Sequence, residues 1–221
     1  MKSLVIGAGE VGMALLKILR KNYTVDVYDT NGAYTIKDSY DILHICFPYS
    51  ENFVPQVLKY QEKFLPKFTV IHSTVPLGTS AKCGAIHSPI RGLHPNLESG
   101  IRTFVKFLGG HDASGVADYF RRAGLKVFLF DKSETTEAMK LLDTEYYRVN
   151  IEFAHRVKRY CDSNGLNFHE VYTLANQTYN EGYTALGHPE FVRPVLQPIM
   201  GPISGHCVMP NKELIKLSEH D

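Results

Sequence analysis

The chain opens Met1-Lys2-Ser3-Leu4-Val5-Ile6-Gly7-Ala8-Gly9-Glu10-Val11-Gly12. A short β-rich run at residues 3–6 leads directly into Gly7-x-Gly9-x-x-Gly12, and apolar residues at helical spacing follow over residues 11–20. Strand, glycine turn and helix in that order have a physical use. The first glycine allows the tight turn, the second lets backbone approach a pyrophosphate, and the third lets helix and strand pack closely, while the helix N-terminus favours negative charge. Asp29 ends the next strand-like run, residues 24–28, and stands 20 positions after Gly9. A carboxylate there accepts hydrogen bonds from an adenine ribose and repels a 2′-phosphate, and Thr30-Asn31-Gly32 offers no arginine to reverse that preference. NAD is the expected cofactor, held by Gly7, Gly9, Glu10, Val11, Gly12 and Asp29. The opposing reading is a cluster of turn glycines followed by an ordinary strand-end aspartate.

The alternation continues outward. Residues 42–47 read as a strand, 51–64 as an amphipathic helix and 69–71 as a strand; residues 103–108, 114–123 and 126–130 read as strand, helix and the last strand of the sheet. Strands separated by helices of 10–15 residues imply parallel pairing with right-handed crossovers, and therefore an α/β, Rossmann-type doubly wound sheet over residues 1–132. Its cofactor lies at the carboxyl ends of the strands, which adds Phe47, Pro48 and Thr74 to the expected cofactor contacts. At Ser133-Glu134-Thr135-Thr136-Glu137 a helix start with acidic first-turn residues appears, and helical spacing then persists to about residue 161, with a stop expected at Asn164-Gly165. A helix of this length serves as the spine of a smaller, mostly helical second domain, residues 133–221, or as a dimer surface. Beyond Asn176 the chain is rich in Gly, Pro and Tyr.

Composition removes several classes of function. In 221 residues, 24 Lys and Arg nearly cancel 23 Asp and Glu, so neither nucleic acid nor an anionic membrane is an expected partner. No apolar run reaches the ~20 residues that cross a bilayer, and the first residues run into glycines instead of a cleavage site, so a cytoplasmic protein is expected. The four cysteines have no CxxC pair and the ten histidines no HxxxH or HExxH spacing, so neither a disulfide framework nor a metal site is expected. Cys46, Cys83 and Cys161 lie on strand-like or helical runs and read as packing.

Four further segments carry a resemblance. His72-Ser73-Thr74-Val75-Pro76-Leu77-Gly78-Thr79, Glu137-Ala138-Met139-Lys140, Val149-Asn150-Ile151-Glu152-Phe153-Ala154 and Ser204-Gly205-His206-Cys207-Val208-Met209-Pro210 occur in that order. They resemble the STVPPGT segment, the ExxK helix start, the spine helix and the GGHCxP loop of the UDP-glucose/GDP-mannose 6-dehydrogenase family. The resemblance implies oxidation of a primary alcohol to a carboxylate in two hydride transfers, through a thiohemiacetal and a thioester on a cysteine. It assigns the nucleophile to Cys207, the oxyanion-stabilising or proton-relaying ammonium to Lys140, and the orientation of water to Thr74. It also implies a homodimer paired through the spine helix. Read without the family, Cys207 is a small buried hydrophobe, and Lys140 a solvated charge.

The departures are specific. Thr144 stands where the family has Asn, Asn211 where it has Asp, and Ser88-Pro89-Ile90-Arg91 where it has a segment with a catalytic Glu. His94 or Glu98 would have to replace that carboxylate; His94 reads equally as an acid/base or sugar contact and as a loop histidine bonded to backbone. The sequence ends 14 residues beyond Cys207, where the family continues into a second Rossmann-like domain, so the expected substrate is a small polar, sugar-like molecule rather than a nucleotide sugar. Tyr179, Tyr183, His188 and Arg193 either line a smaller pocket for it or pack against one another. Three functions follow: an NAD-dependent alcohol or aldehyde dehydrogenase using Cys207 and Lys140; a hydroxy-acid dehydrogenase resembling the 6-phosphogluconate and β-hydroxyacid enzymes and using Lys140 alone; and a dinucleotide-binding module without catalysis.

Overall fold

The computed structural model describes residues 1–197 except 33, 35, 37, 38 and 93, together with residues 214 and 215. Cys207 and Asn211 lie outside the described residues. The chain forms two compact units, Met1–Leu141 and Leu142–Asp221.

In the first unit the elements run β1 (Lys2–Ile6), α1 (Glu10–Leu19), β2 (Thr24–Tyr28), β3 (Ile42–Ile45), α2 (Phe53–Phe64), β4 (Phe68–Ile71), α3 (Thr79–Lys82), β5 (Ile86–His87), α4 (Leu97–Thr103), β6 (Lys106–Gly109), α5 (Ala113–Arg122), β7 (Val127–Phe130) and the start of α6 (Ser133–Ser163). The strands form one sheet in the order β2-β1-β3-β4-β5-β6-β7. Strand order reverses between β1 and β3, the position at which doubly wound sheets bind ligands outside their carboxyl ends. Period-two alternation sorts the apolar residues to two faces. Val5, Ile42 and Val70 join Leu15, Leu19 and Phe120 of α1 and α5, whereas Leu4, Leu43 and Ile71 join Phe53, Val57 and Phe64 of α2. A sheet covered on both faces explains why its strands read as nearly continuous apolar runs.

Two expectations change. Pairing is parallel except between β5 and β6, which are antiparallel through His87 and Gly109. Residues 88–105 do not cross back over the sheet; α4 packs against α1 through Leu97 and Ile101, so the chain enters β6 from the opposite end. Residues 103–105, read as strand, instead end and follow that helix, which carries an Arg102–Glu98 pair one turn apart at 3.3 Å.

The second unit is built on α6, a π-helical turn (His169–Leu174), α7 (Ala175–Ala185) and a 3-10 turn (Pro189–Phe191). The spine helix stops where expected: Gly165 takes φ +64°, and Leu166 N–H donates to Cys161 O at 2.9 Å. Ile151, Ala154, Cys161 and Tyr172 are buried, with Phe168 stacked on Tyr172 at 5.0 Å. Among the described residues no helix is long and apolar enough to cross a membrane.

Candidate active site

The turn between β1 and α1 is shaped by its three glycines. Gly7 has φ +106°, a left-handed conformation, and a Cβ there would lie 2.8 Å from the carbonyl carbon of Cys46. At Gly12 a Cβ would come within 1.9 Å of Gly7 O, so only glycine lets the helix start this close to the strand. Gly9 differs: a Cβ on it would meet nothing within 4 Å, which leaves its outer face open to a ligand. Gly9 is also the N-cap of α1 and supplies no side-chain cap, so the first N–H groups of the helix are left for an anion.

Asp29 completes this arrangement. Its carboxylate accepts Ala8 N–H at 2.7 Å and Asn31 N–H at 3.2 Å. The Ala8 N–H bond, then the Asn31 N–H bond, hold its pKa below the ordinary aspartate value, so the half-buried side chain is ionised and fixed in direction. A fixed, accessible carboxylate fits a ribose diol. These residues therefore form a glycine turn at an uncapped helix N-terminus with an oriented carboxylate beside it. The Glu10 side chain is engaged elsewhere, by His94 Nδ1. The partner of His94 is thus a carboxylate on α1 rather than backbone alone.

A second loop, residues 72–80, leaves the carboxyl end of β4 with Thr74 half-buried upon it. It is tied down from three sides. Ser73 Oγ donates to Phe47 O at 2.6 Å, linking it to the Phe47-Pro48 turn beyond β3. His87 Nε2 lies 3.2 Å from Ser73 O and its Nδ1 lies 2.9 Å from Thr136 Oγ1. Burial pushes His87 down to about 3, so the ring is neutral, with Nε2–H donating to Ser73 O and Nδ1 accepting from Thr136. Glu137 accepts Gly78 N–H at 2.6 Å and Ser80 N–H at 2.8 Å while almost wholly buried. Burial raises its pKa above the usual glutamate value, against the pull of those two N–H groups. The sequence marks Glu137 as an acidic first-turn residue and as the first residue of the Glu137–Lys140 segment, but not its tie to this loop.

Lys140 lies one turn beyond Glu137 on α6 and is half-buried, and its charge is among those that depress His87. Thr144, a further turn along the same helix, is buried. Ile90, where the family's carboxylate would stand, is an apolar buried residue, and Arg91 donates to Val105 O at 2.6 Å and stacks on Phe107 at 4.1 Å. Glu98 is paired with Arg102. In the second unit Arg193 lies 3.5 Å over the Tyr179 ring, and Tyr179, Tyr183, Phe191 and His188 touch in that order as tilted ring pairs. The described members of that group therefore pack on one another at an exposed surface.

No protein-family model matches the chain. Over 76 residues it is 36% identical to the UDP-N-acetyl-D-mannosamine dehydrogenase of Yersinia pestis, a match covering 34% of this chain and 15% of that protein. The structure of UDP-D-ManNAc dehydrogenase from Pyrococcus horikoshii superposes with a TM-score of 0.79 at 19% identity, over 97% of this chain and 64% of that one. A ternary complex of GDP-mannose dehydrogenase from Pseudomonas aeruginosa gives 0.63 at 13% identity, over 80% of this chain and 57% of that one. The chain thus spans less than two thirds of the length of these enzymes; it has their fold over almost all of its own length and is similar to the nucleotide-sugar dehydrogenases in sequence over about a third of it.

Proposed function

We propose that the chain is an NAD-dependent oxidoreductase that oxidises an alcohol or aldehyde of a small, polar, sugar-like substrate. The observation that carries this reading is Asp29, ionised, half-buried and oriented by Ala8 N–H beside the uncapped N-terminus of α1. NAD bound there would supply the hydride acceptor. Asp29 selects it over NADP by repelling a 2′-phosphate. Lys140, as an ammonium, stabilises oxyanion charge at the substrate oxygen, and Cys207, as a thiolate, holds an aldehyde carbon covalently so that it is not lost before a second oxidation. Thr74 orients water, while Thr144 and Asn211 take the places of the family's Asn and Asp. His94 with Glu10 is the acid/base pair nearest the dinucleotide turn.

One observation favours a second reading. Ile90 stands where hydrolysis of a thioester would require a carboxylate, which suits a single hydride transfer by a hydroxy-acid dehydrogenase that uses Lys140 alone. NADH formation measured over a panel of sugars, sugar phosphates and hydroxy acids separates the two. Loss of turnover in Cys207→Ala and two NADH per substrate support the first. One NADH per substrate and a fully active Cys207→Ala variant support the second. NAD binding with no turnover on any compound leaves a binding module.

We further infer a cytoplasmic homodimer. Leu142, Tyr146, Val149, Phe153 and Tyr160 are exposed on α6 at intervals of three, four and seven residues, the spacing of a coiled-coil seam, and a second copy would cover them. Sedimentation of the wild type against Tyr146→Glu/Phe153→Glu tests this; a monomeric wild type would contradict it.

A further inference from the structure

A row of buried polar side chains crosses one face of the sheet beneath the dinucleotide turn. Ser3 Oγ of β1 lies 2.8 Å from Tyr119 Oη of α5, which lies 3.2 Å from His44 Nε2 of β3. His44 Nδ1 lies 3.1 Å from His72 Nε2 at the end of β4, and His72 Nδ1 lies 3.4 Å from Lys106 Nζ at the start of β6. Both His72 Nδ1 and Lys106 Nζ reach Ser88 O, at 2.8 and 3.4 Å. All five side chains are almost inaccessible to solvent. Burial drives His44 to about 3 and His72 well below its ordinary value, so both rings are neutral, each with one N–H and one lone pair. Burial also lowers Lys106, to about 7.

Two neutral rings in series make the row directional, and it closes in either direction. With Lys106 neutral, Ser3 donates to Tyr119, Tyr119 to His44 Nε2, His44 Nδ1–H to His72 Nε2, and His72 Nδ1–H to Ser88 O. With Lys106 an ammonium, it donates to His72 Nδ1 and Ser88 O, His72 Nε2–H donates to His44 Nδ1, His44 Nε2–H to the Tyr119 oxygen, and Tyr119 to Ser3. The two states differ by one proton. If it enters at Ser3, it bonds to Ser3 Oγ while four O–H or N–H bonds, from Ser3 to His72, break and four form on the next acceptors, from Tyr119 to Lys106, and Lys106 ends protonated with both ring tautomers reversed. Every ring nitrogen keeps a partner in both states, so this buried lysine changes charge without leaving an imidazole unsatisfied.

The row also lies under the proposed site. His44 stands two residues before Cys46, whose carbonyl carbon is the atom that a Cβ on Gly7 would strike. A dinucleotide brings two phosphate charges to that turn, offset in the oxidised form by the nicotinamide cation and not in the reduced form. We propose that binding of the reduced dinucleotide is coupled to uptake of a proton by Lys106, with reversal of the His44–His72 hydrogen-bond chain. This rests on the reading of residues 7–12 and Asp29 as a dinucleotide site. The groups facing Lys106 hold fixed charge states around neutral pH: His44, His72 and His87 are neutral, burial keeps Cys46 a thiol at about 12 and Tyr119 a phenol, and Arg91 is a permanent cation.

The experiment is calorimetric titration of NADH, and separately of NAD, into the full chain at pH 7.5 in phosphate and in Tris, whose different ionisation heats count protons exchanged. The expected result is uptake of up to one proton with NADH, less with NAD, and none with NADH in a Lys106→Met variant. Affinity for NADH then weakens as pH rises, by at most about tenfold per pH unit for a single proton. Nitrogen-15 spectra of the wild-type histidines should show His44 and His72 exchange tautomers on saturation with NADH, a readout that stands even if the variant does not fold. NADH binding without proton uptake, uptake that persists in Lys106→Met, or unchanged tautomers would overturn the coupling. Absence of NADH binding would instead overturn the site reading and the coupling with it.

Discussion

Two loops at the carboxyl edge of the same sheet are held in opposite ways. The β1–α1 turn is fixed from beneath, by glycines pressed on Cys46 and Gly7 O, and its polar groups point outward: an ionised Asp29 and a helix terminus without a side-chain cap. The loop after β4 is fixed from its flanks, and the groups that fix it, Glu137 and His87, are buried. The contrast separates two uses of polarity. Polar groups left facing solvent around a rigid frame are available to a ligand, whereas buried ones spend their hydrogen-bonding capacity on the chain itself.

The comparison breaks first at its steric foundation. Gly12→Val places a side chain where even a Cβ would meet Gly7 O at 1.9 Å, so NAD binding should vanish and stability should fall by about 3 kcal/mol or more, measured by titration and thermal unfolding. For the second loop, Glu137→Ala strands the buried N–H groups of Gly78 and Ser80 and should cost about 2–3 kcal/mol, while NAD affinity stays within a few-fold of wild type. A comparable loss of affinity in both variants would remove the distinction between the loops. Asp29→Asn has the reverse profile: stability is nearly unchanged and NAD affinity drops by about tenfold or more, the loss of a charge-assisted hydrogen bond. His94→Ala should also cost little stability, below about 1 kcal/mol, because its pairing with Glu10 is solvent-exposed.

Acid sharpens the same contrast. His44 and His87 are held at about 3, and His72 well below its ordinary value of 6.5, so the unfolded chain binds more protons than the folded one throughout the range between. Stability is therefore lost as pH falls from 6.5 toward 3, with His44 and His87 each contributing close to one proton to the slope of unfolding free energy near pH 5. His44→Gln should reduce that slope by close to one.

The glycine turn, Asp29 and the alternating strands were legible because each depends on local spacing: φ at one residue, a helix start, a strand end. The spine helix and its stop at Gly165 were legible for the same reason. What lay beyond reading was set by pairing across the sheet. β5 has two residues and α4 seven, too few for a periodic signal, so the antiparallel entry of β6 was invisible. His44, His72 and Lys106 sat in runs otherwise apolar, and a polar residue within a strand covered on both faces must be buried; that signal was present, but the partners come from β1, β3, the end of β4, α5 and β6. Glu137 reads as a solvated first-turn acid until the loop that it binds, nearly sixty residues earlier, is placed beside it.

The most direct test of the account is a crystal structure of the full chain with NAD bound. The account predicts the adenine ribose hydroxyls on the Asp29 carboxylate, the pyrophosphate at Gly9 and the first turn of α1, and the Lys140 ammonium and Cys207 sulfur both close enough to reach one substrate carbon beside the nicotinamide. A dinucleotide bound elsewhere, with Asp29 still engaged only by Ala8 and Asn31, would contradict the site; Cys207 packed away from the nicotinamide would contradict the covalent chemistry and leave the lysine-only dehydrogenase.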